Sequence, residues 1–311
     1  MKIFCLGSNQ SISSRIAEAL QMSLGSVHVS RFSDGEIFVE FGENVRGADC
    51  FLIQTLYPNS SDEIIKLALS ADTLKRASAG RVTAVIPYMS YMRQDRKLKP
   101  RVPISFKTIA NMLVSAGIDR ILTMDLHKGQ LAGFFDIPVD NLYPHPVVVP
   151  YLAEQIADND FVVVSPDAGG VERARSILEG LSRYGDLAVI YKFREKKGGV
   201  GSYGIVGNVQ SKIALVVDDI ADTCQTLKQA FNLLVDKGAK KVITFATHGV
   251  FSGSAKEILT ELPRGTVSVT NTIEISPEIK QLVNVLDVSG LFAEAIKRIH
   301  TNASVSELFK W

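Results

Sequence analysis

The chain has 311 residues, 46% of them apolar and 22% charged, with a net charge of +1 at neutral pH. Such a composition excludes disorder, and the near-zero charge excludes the concentrated basic surface that nucleic acid or an acidic membrane requires. No stretch approaches the about 20 apolar residues of a membrane span, and Cys5, Cys50 and Cys224 are too scattered for a disulfide framework or a zinc site, so a reducing, cytoplasmic setting and two domains of roughly 150 residues are expected.

The opening Met-Lys-Ile-Phe-Cys-Leu-Gly is too short an apolar run for a signal peptide and reads as a strand, Lys2 to Leu6, followed by helical spacing over Ile12 to Leu20. Arg31 to Ile37 then places an aromatic, two acids and a glycine in a turn before the strand Ile37 to Phe41. A plain hairpin with Asp-Gly at its corner explains that turn. The functional alternative has Phe32 offering a flat face to a base while Asp34 and Glu36 accept from an exocyclic amine. Buried strands are expected at Cys50 to Thr55 and Arg81 to Ile86, with a helix over Asp62 to Ala77 between them. Pro87 breaks the second strand, and a stretch carrying Arg93, Gln94, Asp95, Arg96 and Lys97 follows its carboxyl end. Basic stretches are more often solvated surface, but guanidinium groups at this position suit a polyphosphate. A helix over Ile104 to Ala116 closes at Gly117, and the strand Arg120 to Met124 leads into Asp125-Leu126-His127, a place to hold a metal-ATP complex. Gly133 to Pro138 carries no assignable chemistry and reads as an apolar subunit or domain contact.

Turn signals at Tyr143 to Pro146 mark a domain boundary, beyond which the pattern of strand, site, helix, strand and acidic site begins again. Two copies of one α/β fold are therefore expected. Phe161 to Val164 is a strand that ends at Asp167, with Gly169 and Gly170 behind it allowing close approach to a ligand or simply starting a helix. Leu187 to Tyr191 is a strand that releases into a cationic and then glycine-rich segment, 192–204. That segment is either a surface linker or a lid whose Lys192 and Arg194 neutralise charge on transferring phosphates. Ile213 to Val217 is short, β-branched and uncharged, a strand buried on both faces that ends abruptly at Asp218 and Asp219. Asp222, Thr223, Cys224, Gln225 and Thr226 follow, ahead of a helix over Leu227 to Lys237. Strand and helix caps are the ordinary reading. Three acids and two threonines at one strand end instead suit a phosphorylated sugar, carboxylates taking its hydroxyls or a hydrated metal and the loop taking its phosphate. Strands at Lys241 to Ala246, Val267 to Thr270 and Val283 to Val288 and a helix from Gly290 to His300 complete the chain.

The segment from Val216 to Thr226 resembles the sugar-phosphate signature of the phosphoribosyltransferase fold. Over essentially its whole length the chain resembles the ribose-phosphate pyrophosphokinase family, and its phosphate-activated class most. The marks are Phe-Ser-Asp-Gly-Glu from 32, Tyr-Met-Arg-Gln-Asp-Arg-Lys from 91, Asp-Leu-His from 125, Gly-Phe-Phe-Asp-Ile-Pro from 133, Ser-Pro-Asp-Ala-Gly-Gly from 165 and Asp-Asp-Ile-Ala-Asp-Thr from 218. The resemblance implies two tandem phosphoribosyltransferase-like domains, 1–145 on the ATP side and 146–289 on the ribose 5-phosphate side, with a flexible catalytic loop at 192–204 and a terminal helix and tail at 290–311 that pack back on the first domain. It implies transfer of the diphosphoryl group of magnesium-ATP to the C1 hydroxyl of ribose 5-phosphate. By the same resemblance Phe32, Asp34, Glu36, Arg93, Gln94, Asp95 and His127 bind ATP. His127 and Asp167 meet Mg2+, and Asp167, Asp218, Asp219, Asp222, Thr223, Cys224, Gln225 and Thr226 take ribose 5-phosphate. Lys192 and Arg194 are the catalytic pair, and the assembly is a homo-oligomer of dimers, as a hexamer.

Four departures qualify these expectations. Phe193 replaces a common arginine and glycines occupy 198, 199 and 201, which predicts a looser lid. Asn44 stands where a serine is typical, bearing on regulation by phosphate and ADP. Gln225 stands where the family has glycine, and a glutamine resists the left-handed backbone that a phosphate cradle uses. The alternatives kept open are the same transfer to a 5-substituted ribose such as ADP-ribose, and a weakly active regulatory homologue that associates with a true synthetase.

Overall fold

The architecture comes from a computed structural model that describes residues 1–181, 184–193 and 202–309. The chain divides into two compact units, one formed by 1–143, 272–274 and 288–310, the other mainly by 144–271 and 275–287.

In the first unit β1 (Lys2–Cys5) is followed by α1 (Gln10–Ala19), whose first turn is capped by the Asn9 side chain accepting from the Ile12 amide at 3.2 Å. An antiparallel hairpin, β2 (Val27–Arg31) and β3 (Ile37–Phe41), turns at Phe32–Glu36, where Gly35 takes φ +96°. The chain continues through β4 (Asp49–Ile53), α2 (Ser60–Arg76), β5 (Arg81–Ile86), α3 (Ser105–Ser115), β6 (Arg120–Met124) and β7 (Val139–Leu142). Acids open α2 and bases close it, each complementing the helix dipole. Among the described residues the sheet is parallel in the order β1-β4-β5-β6-β7. Its central strands β4, β5 and β6 are buried from their second residue on, as strands covered on both faces are. Within Gly133–Pro138, expected at a subunit or domain contact, the two phenylalanines pack inside this unit, while Gly133, Asp136 and Pro138 are exposed. Phe134 and Phe135 lie 5.8 and 5.7 Å from the Phe106 ring, and Phe135 is buried.

The second unit opens with α4 (His145–Ile156), a helix absent from the sequence expectation because Pro144 and Pro146 read as a turn; proline is at home in a first helical turn. Then come β8 (Phe161–Ser165), α5 (Val171–Gly180), β9 (Asp186–Phe193), β10 (Ser202–Val206), β11 (Ile213–Ala221), α6 (Gln225–Asp236), β12 (Lys241–Gly249), α7 (Ala255–Glu261), β13 (Val267–Thr270), α8 (Pro277–Lys280) and β14 (Asn284–Leu286). Their order, among the described residues, is β10-β9-β8-β11-β12-β13-β14, with only β10 antiparallel to its neighbour. The first unit's sheet runs in chain order, whereas here β8 sits between β9 and β11. The chain thus leaves β8 in one direction and β11 in the other, which makes their carboxyl ends the topological switch point.

Two strand ends correct the sequence reading. Backbone pairing carries β9 through Lys192 and Phe193, opposite Tyr203 and Ser202 of β10, so both borders of the expected loop at 192–204 are strand. Strand β11 does not stop at Val217 but runs on through Asp218 and Asp219, with Ile220 and Ala221 paired to His248 and Gly249.

Helix α9 (Ser289–His300) belongs to the first unit, where it packs on α1 and buries Phe292, Ile296 and Ile299. Arg81 grips Asp49 through two hydrogen bonds of 2.8 and 2.5 Å and donates a third, of 3.0 Å, to the Ile299 carbonyl. His300 Nδ1 meets the same Asp49 carboxylate at 2.8 Å.

Candidate active site

The switch point of the second unit gathers most of the acidic candidates. Asp167 follows β8 and uses one oxygen, Oδ1, to accept from the amides of Gly169 and Gly170 at 2.7 and 2.9 Å. That capping pins the exposed carboxylate at the entrance to α5. A Cβ at Gly170 would stand 2.9 Å from Ser165 Oγ, so the close turn requires glycine. Beside β8, side chains of β11 alternate between faces: Ile213, Leu215 and Val217 point toward α4 and α5, while Ala214 and Val216 point toward α6. The same alternation places Asp219 on the α5 face. There its buried carboxylate lies 3.7 Å from Arg173 Nη1 on the first turn of α5.

Asp218 Oδ1 accepts from the Asp219 amide at 2.9 Å. Burial and the adjacent Asp219 carboxylate push the Asp218 carboxyl well above the ordinary carboxylate range, with Arg173 pulling the other way. Two carboxylates that resist ionising together form a group ready to take hydroxyl donors or positive charge.

Beyond β11 the loop folds back on 252–254. Ser252 Oγ donates to Asp222 Oδ1, and the Ser252 amide donates to the Asp222 carbonyl at 3.1 Å. Thr223, Gln225 and Thr226 are exposed, whereas Cys224 is buried against Ala221 and Leu227. The expected conflict at Gln225 does not arise. Gln225 is the first residue of α6 and places Nε2 3.3 Å from Ser254 Oγ; the left-handed position is Cys224, at φ 61° and ψ 6°. Burial and then the Asp222 charge push the Cys224 thiol up to about 12.

Lys192 extends β9 beyond the level at which Ser165 ends β8, on the same carboxyl edge of the sheet, with Nζ 5.6 Å from the centre of the Tyr203 ring. Arg194, and residues 195–201 with the glycines at 198, 199 and 201, lie outside the described residues.

The first unit holds the remaining candidates in two places. At the tip of the β2–β3 hairpin Phe32 is 55% exposed, edge-on to Phe38 at 5.6 Å, and the Glu36 amide donates to Asp34 Oδ1 at 3.1 Å. At the carboxyl ends of β5 and β6, the His127 amide sits 3.4 Å from Met92 Sδ, which brings His127 beside the segment bearing Arg93, Gln94 and Asp95. Gln94 accepts from Ser105 Oγ at 2.6 Å, and Asp95 lies 4.0 Å from Arg96. Tyr91 and the buried Asp125 both take positive φ, 63° and 43°, a backbone strain that proteins concentrate at ligand sites. Among the described residues no three His, Cys, Asp or Glu side chains come together as a metal cluster, and His127 and Asp167 belong to different units.

One residue at the switch point escaped sequence reading: Arg173. The alternation of β11 predicts which face Asp219 occupies, but no local signal says that α5 covers that face.

Known proteins resemble this chain along its whole length. Residues 1–117 match the profile of the N-terminal domain of ribose phosphate pyrophosphokinase, and residues 194–310 match a phosphoribosyl synthetase-associated domain. A ribose-phosphate pyrophosphokinase of Pasteurella multocida is 47% identical over 99% of both chains. Ribose-phosphate pyrophosphokinase A of Dictyostelium discoideum is 44% identical over 99% of this chain and 98% of its own. The crystal structure of phosphoribosylpyrophosphate synthetase from Mycobacterium smegmatis superposes with a TM-score of 0.92 at 38% identity, over 97% of this chain and 99% of that one. With identity of this level along the whole sequence, the chain belongs to the ribose-phosphate pyrophosphokinase family.

Proposed function

We propose that this enzyme transfers the diphosphoryl group of magnesium-ATP to the C1 hydroxyl of ribose 5-phosphate, producing 5-phosphoribosyl 1-pyrophosphate and AMP for nucleotide biosynthesis. The observation that carries the reading is the convergence of Asp167, the Asp218–Asp219 pair and the 222–226 loop on one switch point, in a chain matched to the family from end to end. Asp218 and Asp219 accept from the ribose hydroxyls. Asp222 braces the loop through Ser252, so that Thr223, Thr226 and the first amides of α6 meet the 5-phosphate. Cys224 supplies the turn and Gln225 the first helical amide.

Phe32 stacks on adenine, with Asp34 and Glu36 beside it and Arg93, Gln94, Asp95 and His127 along the nucleotide. Lys192, with Arg194, neutralises the charge of the group in transfer, so catalysis is chiefly positioning and electrostatic stabilisation. Magnesium would arrive on the phosphates of ATP, to which it lends charge neutralisation, and would need few protein ligands. His127 and Asp167 are the residues assigned to it, and the fixed carboxylate of Asp167 fits that part. The domain borders proposed from sequence, 1–145, 146–289 and 290–311, a cytoplasmic location and a hexamer assembled from dimers complete the reading. Phe38, Ile65 and Leu69, each about two-fifths exposed on the hairpin and α2, support a subunit contact there, which light scattering after size exclusion tests.

Phosphorus NMR of the protein with magnesium-ATP and ribose 5-phosphate, with ADP-ribose in a parallel sample, is the deciding experiment. AMP and phosphoribosyl pyrophosphate in the first sample are expected. Product only with ADP-ribose would overturn the substrate assignment, but Gln225, the one feature behind that alternative, lies in ordinary helix. Absence of AMP from both samples, with ATP still bound, would overturn the enzymatic reading altogether.

A further inference from the structure

The carboxylates of Asp218 and Asp219 are close neighbours on β11, and among the described residues Asp219 has a guanidinium at ion-pair distance. Arg173 reaches it at 3.7 Å, and the two side chains are only 15% and 6% exposed. Both ends of that pair are held by regular structure. Asp219 lies on a strand paired to β12, and Arg173 lies on a helix whose Ala174 and Ile177 are locked into the core with Ile213, Leu215 and Val217. An ion pair so placed is poor as a source of stability, since its desolvation cost offsets its attraction. It is well suited to fixing one carboxylate in one place.

We propose that Arg173 is a positioning residue for sugar recognition: it holds the Asp219 carboxylate in one orientation at the switch point, so that its oxygen accepts a hydrogen bond from a ribose hydroxyl. The inference rests on the ribose 5-phosphate reaction proposed above. Without the guanidinium, the Asp219 carboxylate loses the contact that fixes its direction at the strand end, and its oxygen no longer meets the sugar hydroxyl in one place. The residues assigned to the adenine and to the nucleotide's length lie in the first unit, so ATP affinity is expected to be unchanged when Arg173 is replaced.

The test is a double-mutant cycle on the full-length protein, using Arg173→Gln and Arg173→Lys in the wild-type and Asp219→Asn backgrounds. KM for ribose 5-phosphate, kcat, ATP affinity and melting temperature are read for each. Arg173→Gln is expected to raise KM for ribose 5-phosphate by about 10- to 100-fold, the loss of one charged hydrogen bond, with kcat at saturation within about threefold. Arg173→Lys should recover most of that loss, and neither change should add to Asp219→Asn. An equal effect of Arg173→Gln in both backgrounds, or a fall in ATP affinity matching the rise in KM, would overturn the proposal. Where Arg173→Gln proves unfolded by its melting curve, the lysine variant in both backgrounds decides by the same criterion. A wild-type protein inactive on ribose 5-phosphate would instead sink the underlying reaction, a result separable from any variant.

Discussion

The Asp218 carboxyl shows how a single residue ties stability to function. Its affinity for a proton is raised in the fold, so between the ordinary carboxylate range and its folded value the native state holds a proton that the unfolded chain has released. Stability contributed by this group is therefore full at low pH and declines as pH rises through that window. Asp218→Asn should melt higher than wild type at pH 7, with the gap closing below about pH 4, where an unfolded carboxylate is also protonated. A gap independent of pH would remove the electrostatic explanation, while turnover of ribose 5-phosphate should fall in this variant at every pH. The residue scale also shows where reading the chain failed. Gln225 stood out because a side chain replaced an expected glycine, yet the left-handed residue is Cys224, one position earlier. Helix α6 begins one residue after the strained turn, and that register depends on Leu227 and Ala230 packing beneath it.

At the scale of elements, the β2–β3 hairpin and α9 illustrate opposite cases. The hairpin was legible, since Asp-Gly between two alternating runs has one common solution, and its tip is exposed. Phe32→Ala should therefore leave the melting temperature nearly unchanged while raising KM for ATP about 10-fold, the worth of one base stacked on an aromatic ring. A large melting shift without a KM change would make Phe32 structural. Helix α9 was legible as a helix, but its anchor was not, because Asp49, Arg81 and His300 are brought together only by β4, β5 and the helix end. Burial alone would raise the Asp49 carboxyl; hydrogen bonds from Arg81 and then His300 outweigh it and leave it lowered. The stability it contributes is thus present above the ordinary carboxylate range and lost as pH falls through the folded value. Asp49→Asn should cost about 2 kcal/mol at pH 7, because Arg81 then keeps a half-buried charge without its partner, and less at pH 3. Chemical denaturation at the two pH values measures both.

At the scale of the molecule, neither compact unit is a continuous piece of chain. The first is completed by 272–274 and by α9, whose Phe292, Ile296 and Ile299 form the lid on the apolar side of α1. A fragment ending at residue 143 should therefore show a broad, low-temperature melt and aggregate, and joining 288–309 to it through a flexible linker should restore a cooperative transition. Equal cooperativity of the two fragments would mean that α9 is dispensable to that core. Local pattern by itself determined most strands of both sheets, though not β7 or β10, together with the hairpin, most helices and the clustering of acids along β11, because burial period, turn residues and caps are written in neighbouring positions. Only tertiary structure decided that β8 lies between β9 and β11, that α5 sets Arg173 against Asp219, that β11 runs on past its acids, and that the last helix returns to the first unit. Each of these is a choice of neighbour across tens of residues, and neighbours are selected by which apolar faces can be buried together, a property of the folded whole that no local window contains.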